Sequence, residues 1–185
     1  MTVIVYTAPV TEPLTLSEAK LHLRVDHSDE DALITSLIVA ARRMAEHELH
    51  RGLITQTIDV YLDAFGDEIR LPPVSAVTSI TYVDLNGATQ TLAADQYQTD
   101  LYGEPARILP AYAVIWPATR DQANAVKIRC TAGFGAAAAV PDGIKQWMLL
   151  QIGHWYAHRE AVDSKLEPLP FADTLLDPYR VMART

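Results

Sequence analysis

The stretch from Glu12 to Thr57, EPLTLSEAKLHLRVDHSDEDALITSLIVAARRMAEHELHRGLITQT, constrains the fold more than any other part of the chain. Thr15 followed by Glu18 has the spacing of a capping box, in which a hydroxyl and a carboxylate satisfy orphan amides reciprocally at a helix start. A first helix over Leu16 to Leu23 follows from it. Ser28 is placed to cap a second helix, and Asp29, Glu30 and Asp31 put negative charge where first-turn amides leave partial positive charge. Leu33, Ile34, Leu37, Ile38, Ala41, Met44 and Ala45 then recur at the helical period, with Arg42, Arg43, Glu46 and His47 turned elsewhere. Such a helix, closed by Gly52, carries one apolar face and must dock it.

From Thr57 the period changes to alternation. Ile58, Val60 and Leu62 share one face of a strand, with Thr57, Asp59, Tyr61 and Asp63 on the other. Gly66-Asp67 marks a turn, Glu68 to Leu71 a return strand, and Pro72-Pro73 interrupts pairing because neither ring carries an amide donor. Val77 to Asp84 alternates again, and Asn86-Gly87 supplies the positive φ angles of a tight hairpin before Ala88 to Leu92. Short strands are expected near Ala106 to Leu109 and Val114 to Trp116, and another over Val126 to Thr131. Gly133, Gly135 and the alanines through Ala139 form a small-residue link.

Pro141 favours a helix start, and Ile144, Trp147, Met148, Ile152 and Trp155 give an apolar face wide enough for deep burial. A short last helix over Phe171 to Leu176 stops before Pro178. The expected class is α+β: residues 1–56 and 136–185 form a helical core, and residues 57–135 an inserted antiparallel β subdomain. The two helical ends must pack together for both apolar faces to leave water.

At 185 residues and 49% hydrophobic, the chain can bury a substantial interior. No apolar run reaches the roughly 20 residues of a membrane span, and MTVIVYTAPVTEP lacks the basic leader and apolar core of a secretory signal. A cytoplasmic location is the resulting expectation. With 15 Lys and Arg against 23 Asp and Glu, the formal net charge is -8. Phosphate-gripping proteins cluster basic residues, so tight DNA binding is disfavoured.

Candidate chemistry is sparse. Cys130 sits in an alternating strand without an activating context and reads as a small buried residue. His154 and His158 stand four apart, as paired zinc ligands do, but Trp155, Tyr156 and Ala157 between them include no general-base Glu. Gly133-Phe134-Gly135 is a strand-to-helix turn rather than a phosphate loop. Neither a metal nor a cofactor is implied. Tyr97, Tyr102, Tyr112 and Trp116 lie in turn-rich segments, where local packing and contact with a partner are both open readings.

The capped helix, acidic hinge and RGLITQT junction resemble the head-tail connector (adaptor) family of long-tailed phages, prophages and gene transfer agents. The resemblance continues through Asp67 to Leu92, WPATR at Trp116 to Arg120, VKIRCTAGFG at Val126 to Gly135, Val140 to Glu160 and LDPYRV at Leu176 to Val181. It implies a structural protein, not an enzyme, that forms a ring of about twelve copies beneath the portal protein. It also implies a platform for a neck, stopper or tail protein, located in the virion neck after assembly in the bacterial cytoplasm. The acidic surface would let DNA pass through the lumen without specific binding. Tyr179, Arg180, Val181 and Met182, following the rigid turn at Pro178, are candidate anchors for the portal, with Tyr102 and Trp116 as further partner-binding candidates. The competing readings are a small phage-encoded hydrolase using His154 and His158 with an acidic residue, and a DNA-packaging accessory protein.

Overall fold

The computed structural model describes residues 1–158 and 172–181. Its elements run β1 (Thr2–Thr7), α1 (Leu16–Leu23), α2 (Asp31–Leu49), β2 (Gln56–Leu62), β3 (Ile69–Leu71), β4 (Val74–Val83), β5 (Thr89–Thr91), β6 (Tyr97–Asp100), β7 (Ala106–Pro110), β8 (Val126–Ala132) and α3 (Asp142–Ala157). A 3-10 turn, Asp173–Leu175, stands where the last helix over Phe171 to Leu176 was expected, a second, Asp177–Tyr179, follows it, and Phe171 lies outside the described residues. The fold is α+β, with one compact helical unit and one compact β unit.

The helical unit comprises Val10–Ile54 and Phe134–Arg180. The capping box forms as the sequence requires: the Thr15 hydroxyl accepts from the Glu18 N–H at 3.2 Å, and the Glu18 carboxylate accepts from the Thr15 N–H at 2.7 Å. Arg24, in the left-handed region at φ 59°, ends α1. Lys20 then spans the acidic hinge, donating to the His27 carbonyl at 2.7 Å and pairing with Asp31 at 2.6 Å.

Ser28 does not cap α2 with its side chain. The helix starts from Glu30 without a side-chain cap, and the Ser28 backbone carbonyl accepts from the Asp31 N–H at 3.2 Å. Lys20 already neutralises Asp31, so the hinge is held by an ion pair from α1 instead. At the other end α2 stops at Leu49, because His50 takes the left-handed conformation at φ 53° that Gly52 was expected to supply. Histidine is among the few non-glycine residues that enter this region readily.

The buried arc of α2 is Ile34, Ile38, Ala41, Arg42, Ala45 and Leu49. Leu33 and Met44, expected on the apolar face, are exposed, while Arg42 is turned inward. The arc is thus rotated toward Arg42, whose charge is satisfied by Glu12 and Glu46, each 2.7 Å away. A buried cation left without such partners would be strongly destabilising. Ile144, Trp147, Met148 and Ile152 of α3 complete the core with Leu14, Ala19, Leu53, Ile54, Val140, Ala172 and Leu176. Gly153 lets the His22 imidazole of α1 approach closely: a Cβ there would stand 3.3 Å from Nε2.

The β unit comprises Met1–Pro9, Thr55–Gly133 and Val181. Its larger sheet has the order β1-β2-β8-β4-β5, antiparallel throughout, and its smaller sheet the order β3-β7-β6. Strand β8 alternates as read, with Val126, Ile128, Cys130 and Ala132 buried. They join Ile58, Val60, Ile69, Leu71, Ile80, Ala106 and Ile108 in the β core. The Asn86-Gly87 hairpin forms with Gly87 at φ 86°, and the Asp84 carboxylate accepts from the N–H groups of Asn86 and Ala88, both at 2.9 Å.

Three features differ from the sequence reading. Val114 to Trp116 is irregular, because the Trp116 ring stacks on Phe65 at 4.8 Å and its indole donates to the Gly66 carbonyl at 2.8 Å, which ties the segment down by its side chain. Tyr97–Asp100 pairs with β7 instead. Thr2–Thr7, read without any element, is a strand of the larger sheet.

Trp147 is 1% exposed whereas Trp155 is only partly buried against the same core. Trp147→Ala should therefore cost about 3–5 kcal/mol through the cavity it leaves, with a smaller loss for Trp155→Ala. Denaturant midpoints of the two variants measure the difference, and the order Trp147 above Trp155 is the expected outcome.

Candidate functional site

Surfaces, rather than a pocket, carry the candidate residues. Pro178 lies within the 3-10 turn Asp177–Tyr179, and that turn sets Tyr179 against Gly143 of α3. The Tyr179 ring fills the space left by Gly143, where a Cβ would stand 3.3 Å from Cε2. Its carbonyl accepts from Arg51 at 3.5 Å. Arg51 also places its guanidinium 4.2 Å from the centre of the Phe134 ring. Arg180 stays exposed, with Glu48 and Asp177 each 3.6 Å from its guanidinium. Val181 is half-buried, and Met182 lies outside the described residues.

Tyr102 is fully exposed. Asp100 builds the loop that presents it, accepting from the Tyr102 N–H at 3.2 Å and the Gly103 N–H at 3.4 Å while pairing with Arg107 at 2.5 Å. Arg107 holds the Asp100 carboxyl below the usual carboxylate range. Trp116 is committed to Phe65 and Gly66, so of the two predicted β-unit anchors only Tyr102 offers a free ring. Tyr112, nearly fully exposed, and Ile115, 90% exposed, are further free apolar groups at loop positions.

His154 and His158 do come together on α3, with ring centres 4.7 Å apart and His158 Nδ1 2.9 Å from the His154 carbonyl. Among the described residues, no group of three or more His, Cys, Asp and Glu is placed to hold a metal ion. Cys130 is buried and its thiol is pushed up to about 12 by that burial, which keeps it protonated and unreactive at neutral pH. No described helix is long and apolar enough to cross a membrane.

One cluster escaped sequence reasoning. Asp59, on the face of β2 expected to be polar, is 3% exposed and accepts two bonds from Arg129 of β8, both at 2.7 Å. The Arg129 guanidinium in turn lies 3.5 Å from the Tyr6 ring centre, so an ion pair and a cation–π contact tie three strands together. Alternation alone exposes Asp59 and Arg129 as neighbours on one face. Only the pairing register, Asp59 opposite Arg129, shows that they meet.

Residues 13–100 match the family described as "Phage gp6-like head-tail connector protein". Chains of similar fold, matched over nearly the whole length, occur in a virion of a native gene transfer agent particle (TM-score 0.82, 27% identity) and in the neck of an empty particle (TM-score 0.80, 27% identity). A third, from the neck of a native particle computed with C12 symmetry, gives TM-score 0.78 and 28% identity. Each covers 98% of this chain and 96% of the other. Over residues 13–100 this chain is similar to the head-tail connector family, and over nearly its whole length to chains of those particles. No curated protein matches this chain at a significant level.

The Arg129 bond holds the Asp59 carboxyl below its ordinary value of 3.8. A carboxyl whose folded pKa is depressed adds stability that is present above the unfolded pKa and lost as pH falls through the folded one. Asp59→Asn should therefore melt below wild type at neutral pH, and the gap should close once pH falls beneath the folded pKa of Asp59. Thermal melts of both proteins across that range provide the check.

Proposed function

We propose that this connector assembles as a closed ring of about twelve copies beneath the portal of a phage-like particle, completing the head and giving the neck or tail proteins their platform. The observation that carries this reading is the end-to-end correspondence with chains from particle necks, 98% of this chain on 96% of the other. The helical unit supports it with a tightly filled core that can act as a rigid ring segment. The net charge of -8 suits a wall past which DNA moves without being held, and it opposes a DNA-gripping packaging accessory. A hydrolase built on His154 and His158 lacks a third ligand among the described residues.

Of the candidate partner contacts, Tyr102 and Arg180 have the free surface that binding to the portal or a neighbouring neck protein needs. Val181 is the third candidate, while Tyr179 and Trp116 spend their rings on the chain's own packing.

The purified protein should be monomeric or weakly associated in dilute solution and close into a ring on portal assemblies, where a template raises its local concentration. Light scattering over a dilution series, with imaging of the portal mixture, distinguishes this from the contrary result, a compact dimer insensitive to dilution. Tyr102→Ala, at a surface position, should change stability by less than about 0.5 kcal/mol while weakening co-sedimentation with portal or neck partners. Unchanged co-sedimentation with each partner would remove Tyr102 from the interface.

A further inference from the structure

We infer that the outer edge of β1, with Val3, Ile4, Val5 and Tyr6, is one half of the contact between adjacent copies of this chain. The inference rests on the ring reading above. All six residues of β1 are exposed, and these four keep 44%, 53%, 50% and 61% of their surface open. The strand is pinned on its inner side, by pairing from Thr2↔Tyr61 to Thr7↔Thr57 and by the Arg129 contact with Tyr6. As the first strand in the order β1-β2-β8-β4-β5, it has no strand partner on its outer side among the described residues.

Proteins that stay monomeric blunt such edges with lysine, proline, inward charges or bulges. Strand β1 reads TVIVYT, without a charge or a proline, and its bulge falls at the end, between Val5 and Thr7. Val3 and Val5 stand opposite the buried Val60 and Ile58, so the apolar face of the β core continues onto the edge strand and there meets water.

The occupant that fits is the next copy of the chain. A ring closed by rotation joins two different surfaces of each subunit, and every copy of an edge strand is then covered alike. Chains similar to this one come from necks computed with C6 and C12 symmetry, in which each position recurs about the axis. Charge points the same way. Copies carrying -8 each repel one another, and an uncharged apolar strand is where two of them can meet with the least Coulomb cost.

Hydrogen exchange of the wild-type protein, free and in the ring formed alone or on portal, tests this without any substitution. The amides of residues 2–7 on the outer edge should exchange freely in the monomer and become protected in the ring. Ile4→Glu with Val5→Glu should raise the concentration needed for assembly by roughly tenfold or more, the factor a lost contact of modest strength produces. Leu85→Glu, at a 69% exposed apolar residue of the hairpin turn, should not. A ring whose residues 2–7 exchange as fast as in the monomer, or a double variant that assembles like wild type, overturns the edge assignment and leaves the ring reading standing. Protection that arrives only when a different neck protein is added overturns the assignment to a second copy. If no ring forms even on portal, the ring reading itself falls and this inference with it.

Discussion

The antiparallel ladder between β2 and β8 is the interaction on which the rest of the chain depends. It sets Gln56 opposite Ala132 and Leu62 opposite Val126, closing a loop of some seventy residues. Immediately outside the ladder, the Phe134 N–H donates to the Leu53 carbonyl at 3.0 Å and Ile54 bridges Gly135. The end of α2 and the approach to α3 are thereby delivered as neighbours, although they are far apart in sequence. Without that closure, the docking of Ile34, Ile38 and Ala45 near Ile144, Trp147 and Met148 would bear the whole entropy cost of the intervening chain.

Both units place an arginine where alternation or helical period predicts an ordinary exposed face. Arg42 is buried on α2 between Glu12 and Glu46, and Glu46 also accepts from the Leu53 N–H at 3.0 Å. Arg129 covers Asp59 on β8 and supports Tyr6. Replacing such pairs with well-packed apolar residues is often neutral or stabilising, so their contribution to net stability is small, whereas losing one partner strands a charge. Their geometric effect is plainer. Arg42 joins the segment before α1 to α2, and Arg129 joins β1 to the centre of its sheet, so each specifies which distant segment sits where.

For the proposed role as a ring component, the division between committed and free side chains matters more than any reactive group. Aromatic residues looked alike in sequence: Tyr102, Tyr112, Trp116 and Tyr179 all lie in turn-rich segments. The fold separates them, spending Trp116 on Phe65 and Tyr179 on the groove at Gly143 while leaving Tyr102 and Tyr112 open. Strand β1 is the larger free surface, and it is apolar along four consecutive residues.

Features governed by neighbours in sequence were legible from it. The capping box at Thr15 and Glu18, the span Leu16–Leu23, the Asn86-Gly87 hairpin and the alternation of Val126–Ala132 all depend on contacts within a few residues, where propensity and period act directly. The ordered motifs likewise pointed to the connector family. What the tertiary structure decided was settled between segments far apart. Lys20 of α1 took Asp31 of α2, and Arg42, paired with Glu12 from the segment before α1, displaced Met44 and Leu33 from the buried arc. Thr2–Thr7, whose β-branched and aromatic residues favour a strand, pairs with β2 at the sheet edge, a partner that TVIVYT alone does not name. Period tells which residues share a face; the partner that covers that face is chosen by long-range pairing, and burial follows from the partner.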